Sequence, residues 1–343
     1  MAVHAAHEKK TKRKHMPLPA LIALHLLCIG AGLLLFAYFH HVRDFYSQTP
    51  PQTAPVSLIT PSPAPTPTAE AAETASPEET PQPGEAAVDR GMFYERFSDQ
   101  FTDGEIIRSD NEYKSANISV TFSKIEEPSL IYHVAEIYIS DMRYLRTAFG
   151  EKGYGSRNMT AELAAANDAV VAISGDYYCA RKEGVVVRNG FLYRETRYED
   201  LCVLLSDGRM LTMTDAELDL DELKAAAPWQ VWSFGPALLR DGRALTEFNS
   251  TVSRTNPRSA IGCVEPGHYF FVQVDGRGVR GSRGMTLAEL AALFERLGCQ
   301  TAYNLDGGQT AGIAWMGKLI SYPYGRSVSD IIYITDHPAD GEG

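Results

Sequence analysis

Along residues 117–335 apolar positions recur mostly at every second residue or in short unbroken runs, the pattern of β-strands. NISVTFSKI (117–125) and LIYHVAEIYI (130–139) predict two strands. DAVVAISGDYY (168–178) predicts a buried strand entering a glycine turn, and HYFFVQVDGRG (268–278) another that ends in a glycine-rich loop. GVVVRNGFLYR (184–194) sets Asn189-Gly190 between two such runs, the composition of a two-residue hairpin turn. CVLLSDGRMLTM (202–213) repeats the pattern around Asp207-Gly208. Helical signals are fewer. LAELAALFERLG (287–298) has Thr286 as its cap, Glu289 as capping-box partner and Gly298 at its end. ELAAANDA (162–169) and DELKAAA (221–227), the latter stopped by Pro228, predict shorter helices. No period of 20–50 residues recurs, so this is not a repeat protein. Many strands and few helices predict an α+β or α/β fold, a single domain built on a mixed, strand-rich sheet over residues 91–336, with 337–343 as a flexible tail.

The pattern changes before residue 91. Residues 17–41 carry no Asp, Glu, Lys or Arg, and Leu18 to Phe39 is a run of 22 mostly apolar residues. A helix needs about 20 such residues to span a bilayer. Residues 1–16 are basic (Lys9, Lys10, Lys12, Arg13 and Lys14 against Glu8), which sets the N-terminus in the cytoplasm and the remainder outside. A cleaved signal peptide has similar regions, but Tyr38-Phe39-His40-His41 offers no small-residue cleavage site. The expectation is an uncleaved signal anchor: a single-pass protein of the cell membrane, held through residues 17–41. Residues 42–90 are rich in Pro, Thr, Ala and Glu, and 47–87 lack aromatics. Such a segment cannot bury enough apolar surface to offset its ordering entropy, so a disordered linker is expected.

From residue 42 onward 27 basic residues face 42 acidic ones, a formal charge of −15. That balance argues against nucleic acid or anionic polymers as non-specific partners, though not against a local cationic pocket. Cys179, Cys202, Cys263 and Cys299 would lie outside the membrane, where they either pair, in one of three ways, or stay as buried thiols. No Cys/His cluster or EF-hand-like spacing is present, so no metal ligands and no cofactor are expected, with a divalent cation at clustered aspartates left open.

Three apolar strands each deliver a carboxylate to a glycine-bearing turn: VVAIS before Gly175-Asp176, FFVQV before Asp275-Gly276, and AYNL before Asp306-Gly307-Gly308. Glycine lets backbone approach a ligand, and the carboxylates could act as acid, base or nucleophile. Each is equally readable as an ordinary turn. Arg258, after Pro257 in RTNPRSAIG (254–262), suits bidentate binding of a phosphate or forms a surface ion pair. GSRGMT (281–286) leads into the helix that starts near Thr286, so its N–H groups could hold an anion or be used in capping. Walker, Rossmann, HExxH and GxSxG patterns are absent. NLDGG itself reads as a hairpin turn whose glycines also line a substrate pocket.

Taken in order, AISGDYY, WSFGPALLRDG (232–242), PRSAIG, VDGRG, SRGMTLAELAALFERLG, NLDGG and GRSVSDIIYI (325–334) resemble the phosphodiester glycosidase family. Bacterial members of that family are often labelled exopolysaccharide biosynthesis proteins. The resemblance runs over roughly residues 110–335. It implies an enzyme that cleaves a sugar from a sugar-1-phosphodiester, between anomeric carbon and phosphate oxygen, on a glycan or sugar-phosphate substrate of the cell envelope or exterior. It also implies Asp176, Asp275 and Asp306 as catalytic carboxylates. Arg258, Ser282, Gly284, Gly307, Gly308 and Thr310 fall at substrate- or phosphate-binding positions, with the N–H groups of Ser282–Met285 helping Arg258 to hold phosphate. Two stretches depart from the family pattern. Ser174-Gly175-Asp176 replaces Asn-Gly-Gly or Asn-Gly-Asp, and LDGGQTAG replaces LDGGGSS, so Thr310 stands for one serine and Ala311 for the other. The rival expectations are a catalytically eroded polysaccharide-binding or assembly module and a carboxylate glycosidase without phosphate preference.

Overall fold

The computed structural model describes residues 18–37, 55–59 and 89–338. The chain forms two compact units, Met1–Gln48 and Thr49–Gly343. Within the first, the uncharged run is an α-helix, Leu18–Ala37, on which Leu26, Leu27, Leu33 and Leu34 are exposed. Among the described residues no helix is both long and apolar enough to cross a membrane. The basic tail (1–16) and most of the linker (42–90) lie outside the described residues.

Among its described residues the second unit is strand-rich, with three short helices and three sheets in place of the one mixed sheet expected, and every pairing is antiparallel. It is therefore α+β. The largest sheet has nine strands and contains, side by side, Thr301–Leu305, Arg258–Glu265, His268–Val274, Leu130–Ile139 and Ile118–Glu127. A six-stranded sheet includes Phe191–Thr196, Gly184–Arg188, Pro228–Trp232 and Leu201–Leu205. The five-stranded sheet is centred on Val171–Ser174, between Ile313–Trp315 and Asp330–Ile334.

One core is shared by the three sheets. Ile137, Ile261, Phe271 and Leu305 of the large sheet meet Ile173, Ile313 and Ile332 of the five-stranded sheet and Cys202 and Trp232 of the six-stranded one. On its other face the large sheet is covered by the helix Leu287–Arg296, with Leu287, Leu290 and Phe294 packed on Phe270, Val272 and Val274. Burial of both faces explains the unbroken apolar run HYFFVQV, since neighbouring side chains go to different cores. Each fully buried Leu or Phe contributes roughly 1.5–3 kcal/mol. The helix begins as its sequence predicts: Thr286 Oγ1 accepts from Glu289 N at 3.1 Å, and Thr286 N donates back to Glu289 Oε2 at 2.8 Å.

Two expectations change. Asn189-Gly190 does close the hairpin between Gly184–Arg188 and Phe191–Thr196, but NLDGG is no hairpin turn. It crosses between sheets, because Thr301–Leu305 pairs in the nine-stranded sheet and Ile313–Trp315 in the five-stranded one. Within the linker, Val56–Ser57 forms a strand on the edge of Phe191–Thr196, where Leu58 N donates to Gly190 O at 2.8 Å. Leu58, which follows the strand, packs against the apolar core of that sheet, as does Leu192. All five cysteines are free, Cys28 exposed and the other four buried.

Candidate active site

Strand register gathers the candidate loops. Arg258 lies opposite Val274 and Ser259 opposite Leu305, so the start of Arg258–Glu265 sits beside the ends of the strands leading to Asp275 and Asp306. The five-stranded sheet joins them through Asp306 N, which donates to Gly175 O at 2.9 Å, and through Ser174 Oγ, 2.7 Å from Ser259 Oγ and donating to Asp306 O at 3.0 Å. Ser174 thus ties two sheets together directly behind Asp306. Glycines permit this closeness. A Cβ on Gly307 would stand 2.7 Å from Pro257 O, one on Gly276 2.8 Å from Pro257 N, and one on Gly284 (φ +91°) would overlap the Asn256 carbonyl.

The result is a cavity of about 510 Å³ whose wall includes Arg258, Arg277, Asn304, Asp306, Gly307 and Gly308. Arg181, Tyr198 and Phe234 complete one side, with the Arg181 guanidinium 4.5 Å from the Tyr198 ring centre and 5.2 Å from that of Phe234. Arg258 is buried, and its hydrogen bonds go to backbone carbonyls: Nε to Met285 O at 3.0 Å, Nη2 to Val252 O at 2.8 Å and to Arg254 O at 2.5 Å. It has no carboxylate partner among the described residues, and burial lowers its pKa to about 10. A cation desolvated in this way favours an anionic ligand.

Asp306 is buried on the same wall, and its Oδ2 has no hydrogen-bond partner among the described residues. Burial pushes its pKa up to about 7, opposed by a hydrogen bond from Thr310 and by the charges of Arg326 and Arg181, while Asp176 adds to the rise. Asn304 holds Gly235 O through Nδ2 at 2.7 Å, and its own Oδ1 has no hydrogen-bond partner among the described residues. The cavity therefore presents a cation, a carboxyl that changes charge near neutral pH and a free acceptor.

The other two expected carboxylates do not line it. Asp176 is held by Ser233 N at 2.8 Å, by Tyr177 N at 2.6 Å and by Arg188 Nη2 at 3.2 Å. The same Arg188 binds Asp330 through Nε at 2.7 Å, and Asp330 Oδ1 accepts from Asp176 N at 2.6 Å. All three are buried, and the triad stands behind the Gly175 carbonyl that holds Asp306. Asp275 is fully buried: Gln273 Nε2 at 3.1 Å and Tyr322 N at 3.2 Å occupy its Oδ1, and Arg280 Nη1 lies 3.9 Å from Oδ2.

Ser282 is likewise away from the cavity wall, donating to Asp275 O at 2.6 Å and accepting from Ile131 N at 3.0 Å. The N–H groups of Ser282, Arg283 and Met285 go to carbonyls of Val279, Ser129 and Asn256, so they are spent before any phosphate arrives. Gly284 acts by letting the Asn256–Arg258 segment pack close. Thr310 Oγ1 donates to Gly307 O at 2.6 Å. Neither Thr310 nor Ala311, both buried, is on the cavity wall. Among the described residues no group of three or more His, Cys, Asp or Glu side chains is placed to hold a metal.

Sequence reasoning missed Arg188, Asp330, Asn304 and Arg277. Arg188 did leave a signal: a charge closing the run VVVR, where every other side chain is buried.

Comparison with known proteins follows the same region. Residues 167–335 match the family described as phosphodiester glycosidase. The SPbeta prophage-derived uncharacterized protein YomE of Bacillus subtilis (strain 168) is 31% identical over 181 residues, covering 49% of this chain and 28% of its own length. The chain thus spans well under a third of that relative. Among solved structures, the zebrafish N-acetylglucosamine-1-phosphodiester alpha-N-acetylglucosaminidase catalytic domain, auto-inhibited by its pro-peptide, aligns with TM-score 0.51 and 22% identity. That alignment covers 64% of this chain and 83% of the other, and it carries the fold alone. A hypothetical protein from Synechocystis aligns at TM-score 0.45 and 16% identity, over 64% of this chain and 62% of its own.

Proposed function

Over residues 167–335 the chain belongs to the phosphodiester glycosidase family, and on that premise we propose that it hydrolyses the bond between a sugar's anomeric carbon and a phosphodiester. The observation that carries this reading is the meeting, in one cavity, of a buried arginine without a carboxylate partner and a buried carboxyl that titrates near neutral pH. A phosphodiester leaves as a stable anion, so its departure needs charge stabilisation more than a proton. Arg258 would supply that charge. Ionised Asp306 would take a proton from water as the water oxygen bonds to the anomeric carbon. The anomeric C–O bond breaks, its electron pair leaves with the phosphate oxygen, and the products are free sugar and a phosphomonoester. Asn304 Oδ1 offers an acceptor for a sugar hydroxyl. The departures at Ser174 and Gln309-Thr310-Ala311 remove no group from the cavity wall, which favours an enzyme over an eroded binding module.

Anchoring in the cell membrane, with the domain facing outward toward envelope or extracellular glycans, is part of the same proposal. Its support is the sequence pattern alone, the uncharged run of residues 17–41 preceded by five basic residues. Release of sugar from an N-acetylglucosamine-1-phosphodiester should sediment with membranes for the whole chain and become soluble when residues 1–48 are deleted. Arg258→Gln should lower kcat/KM about a hundredfold or more, in line with the loss of a charge-assisted contact from the transition state. Equal activity in Arg258→Gln would remove the phosphate clamp, and soluble activity of the whole chain would remove the anchor.

A further inference from the structure

The cavity wall carries more than one arginine. Its charged wall groups are Arg181, Arg258 and Arg277 against Glu199 and Asp306, in a chain whose formal charge is −11. Arg258 is the buried member. Arg277 is exposed, on the loop that follows His268–Val274. Its backbone is left-handed (φ +58°) between Gly276 and Gly278, and its guanidinium reaches across to Gly308. A Cβ at Gly308 would stand 3.1 Å from Arg277 Nη2, so the absence of a side chain there gives the guanidinium its place. Among the described residues Arg277 has neither an ion pair nor a hydrogen bond, although Asp and Glu are common on this surface. An arginine so placed is a cation left open toward the cavity, with its planar donors available for a carboxylate or phosphate.

We propose that Arg277 is a specificity-determining residue that binds a second anionic group, beyond the scissile phosphodiester on its leaving side, so that the preferred substrate is a glycan carrying repeated negative charge. This rests on the phosphodiester glycosidase reading of the same cavity. One phosphodiester carries a single negative charge, which the buried Arg258 takes. The exposed Arg277 would meet the departing part of the substrate on the solvent side of the cavity, where a phosphate or carboxylate would give this arginine a partner. A singly charged substrate leaves Arg277 without a partner.

The test uses the whole chain carrying Asp306→Asn, so that binding is read without turnover, and calorimetry with three synthetic ligands. Each is an N-acetylglucosamine-1-phosphodiester; one has a neutral leaving group, one a second phosphodiester and one a carboxylate in its place. The expected result is binding about ten- to a hundredfold tighter for at least one doubly charged ligand, with that advantage lost in Arg277→Gln and partly restored in Arg277→Lys. Whichever second anion gains more identifies the group. Equal binding of all three, or an equal weakening of all three by Arg277→Gln, would overturn the inference and leave the reaction standing. Failure of every ligand to bind would overturn both.

Discussion

Asp306→Asn should slow sugar release by orders of magnitude while making the protein more stable at pH 8. The two effects have one cause. Burial holds the Asp306 carboxyl at a pKa of about 7, against 3.8 in its ordinary state, so the fold favours its protonated form. Between those two values the folded chain keeps a proton that the unfolded chain has lost, and stability falls as pH rises through the window. Above about pH 7 the full cost is present, on the order of 4 kcal/mol for a shift of this size. Asn retains the shape without the charge. The variant should therefore match the parent near pH 4, gain on it up to pH 7 and hold a constant advantage beyond, as read by Tm across that range. Its rate should fall about 10²- to 10⁴-fold, the usual contribution of a positioned base. A variant that tracked the parent's Tm at every pH would show that the carboxyl does not pay a burial penalty, and one that kept its rate would remove Asp306 from the chemistry.

Arg188→Met should be the most damaging single change to the fold. Arg188 is almost fully buried and joins two carboxylates that are equally buried, Asp176 at 3.2 Å and Asp330 at 2.7 Å, while also donating to the carbonyls of Val187 and Val231. Removing the cation leaves two negative charges in the interior, a loss of roughly 3–5 kcal/mol. The loss depends on pH in a defined direction. Burial already raises Asp330 to about 6, with Arg188 holding it down, so the variant's Asp330 takes up a proton more readily still. Protonation relieves the repulsion. Urea unfolding should show the larger deficit at pH 8 and a smaller one at pH 5. An equal deficit at both values would mean that lost packing, rather than unpaired charge, is responsible. Since Asp176 and Gly175 hold the segment against Asp306, activity should fall with stability.

Much of the local structure was legible because local chemistry determines it. Asn189-Gly190 closes its hairpin with both residues at positive φ, and Thr286 with Glu289 caps its helix reciprocally. What sequence could not give was the partner of each strand end. Asp176, Asp275 and Asp306 look alike in sequence, each a carboxylate after an apolar strand beside glycine. Their fates are set largely by residues distant along the chain: Arg188 and Asp330 for Asp176, Tyr322 together with the neighbouring Gln273 for Asp275, and an open cavity for Asp306. NLDGG was misread for the same reason, since the strands on its two sides pair in different sheets. Gly284 and Gly276 are sites of close approach of backbone, to Asn256 and Pro257. Arg277 was hidden by its exposure. Only its place beside Gly308 marks it out.

The central claim is that this cavity breaks the bond at the anomeric carbon, with Arg258 holding the phosphate and Asp306 handling the proton. Hydrolysis of an N-acetylglucosamine-1-phosphodiester in ¹⁸O-labelled water, followed by mass spectrometry of both products, tests it most directly. The account predicts that the label enters the sugar at its anomeric hydroxyl and that the phosphomonoester stays unlabelled. Label in the phosphate would mean attack at phosphorus, a phosphodiesterase, and would contradict it.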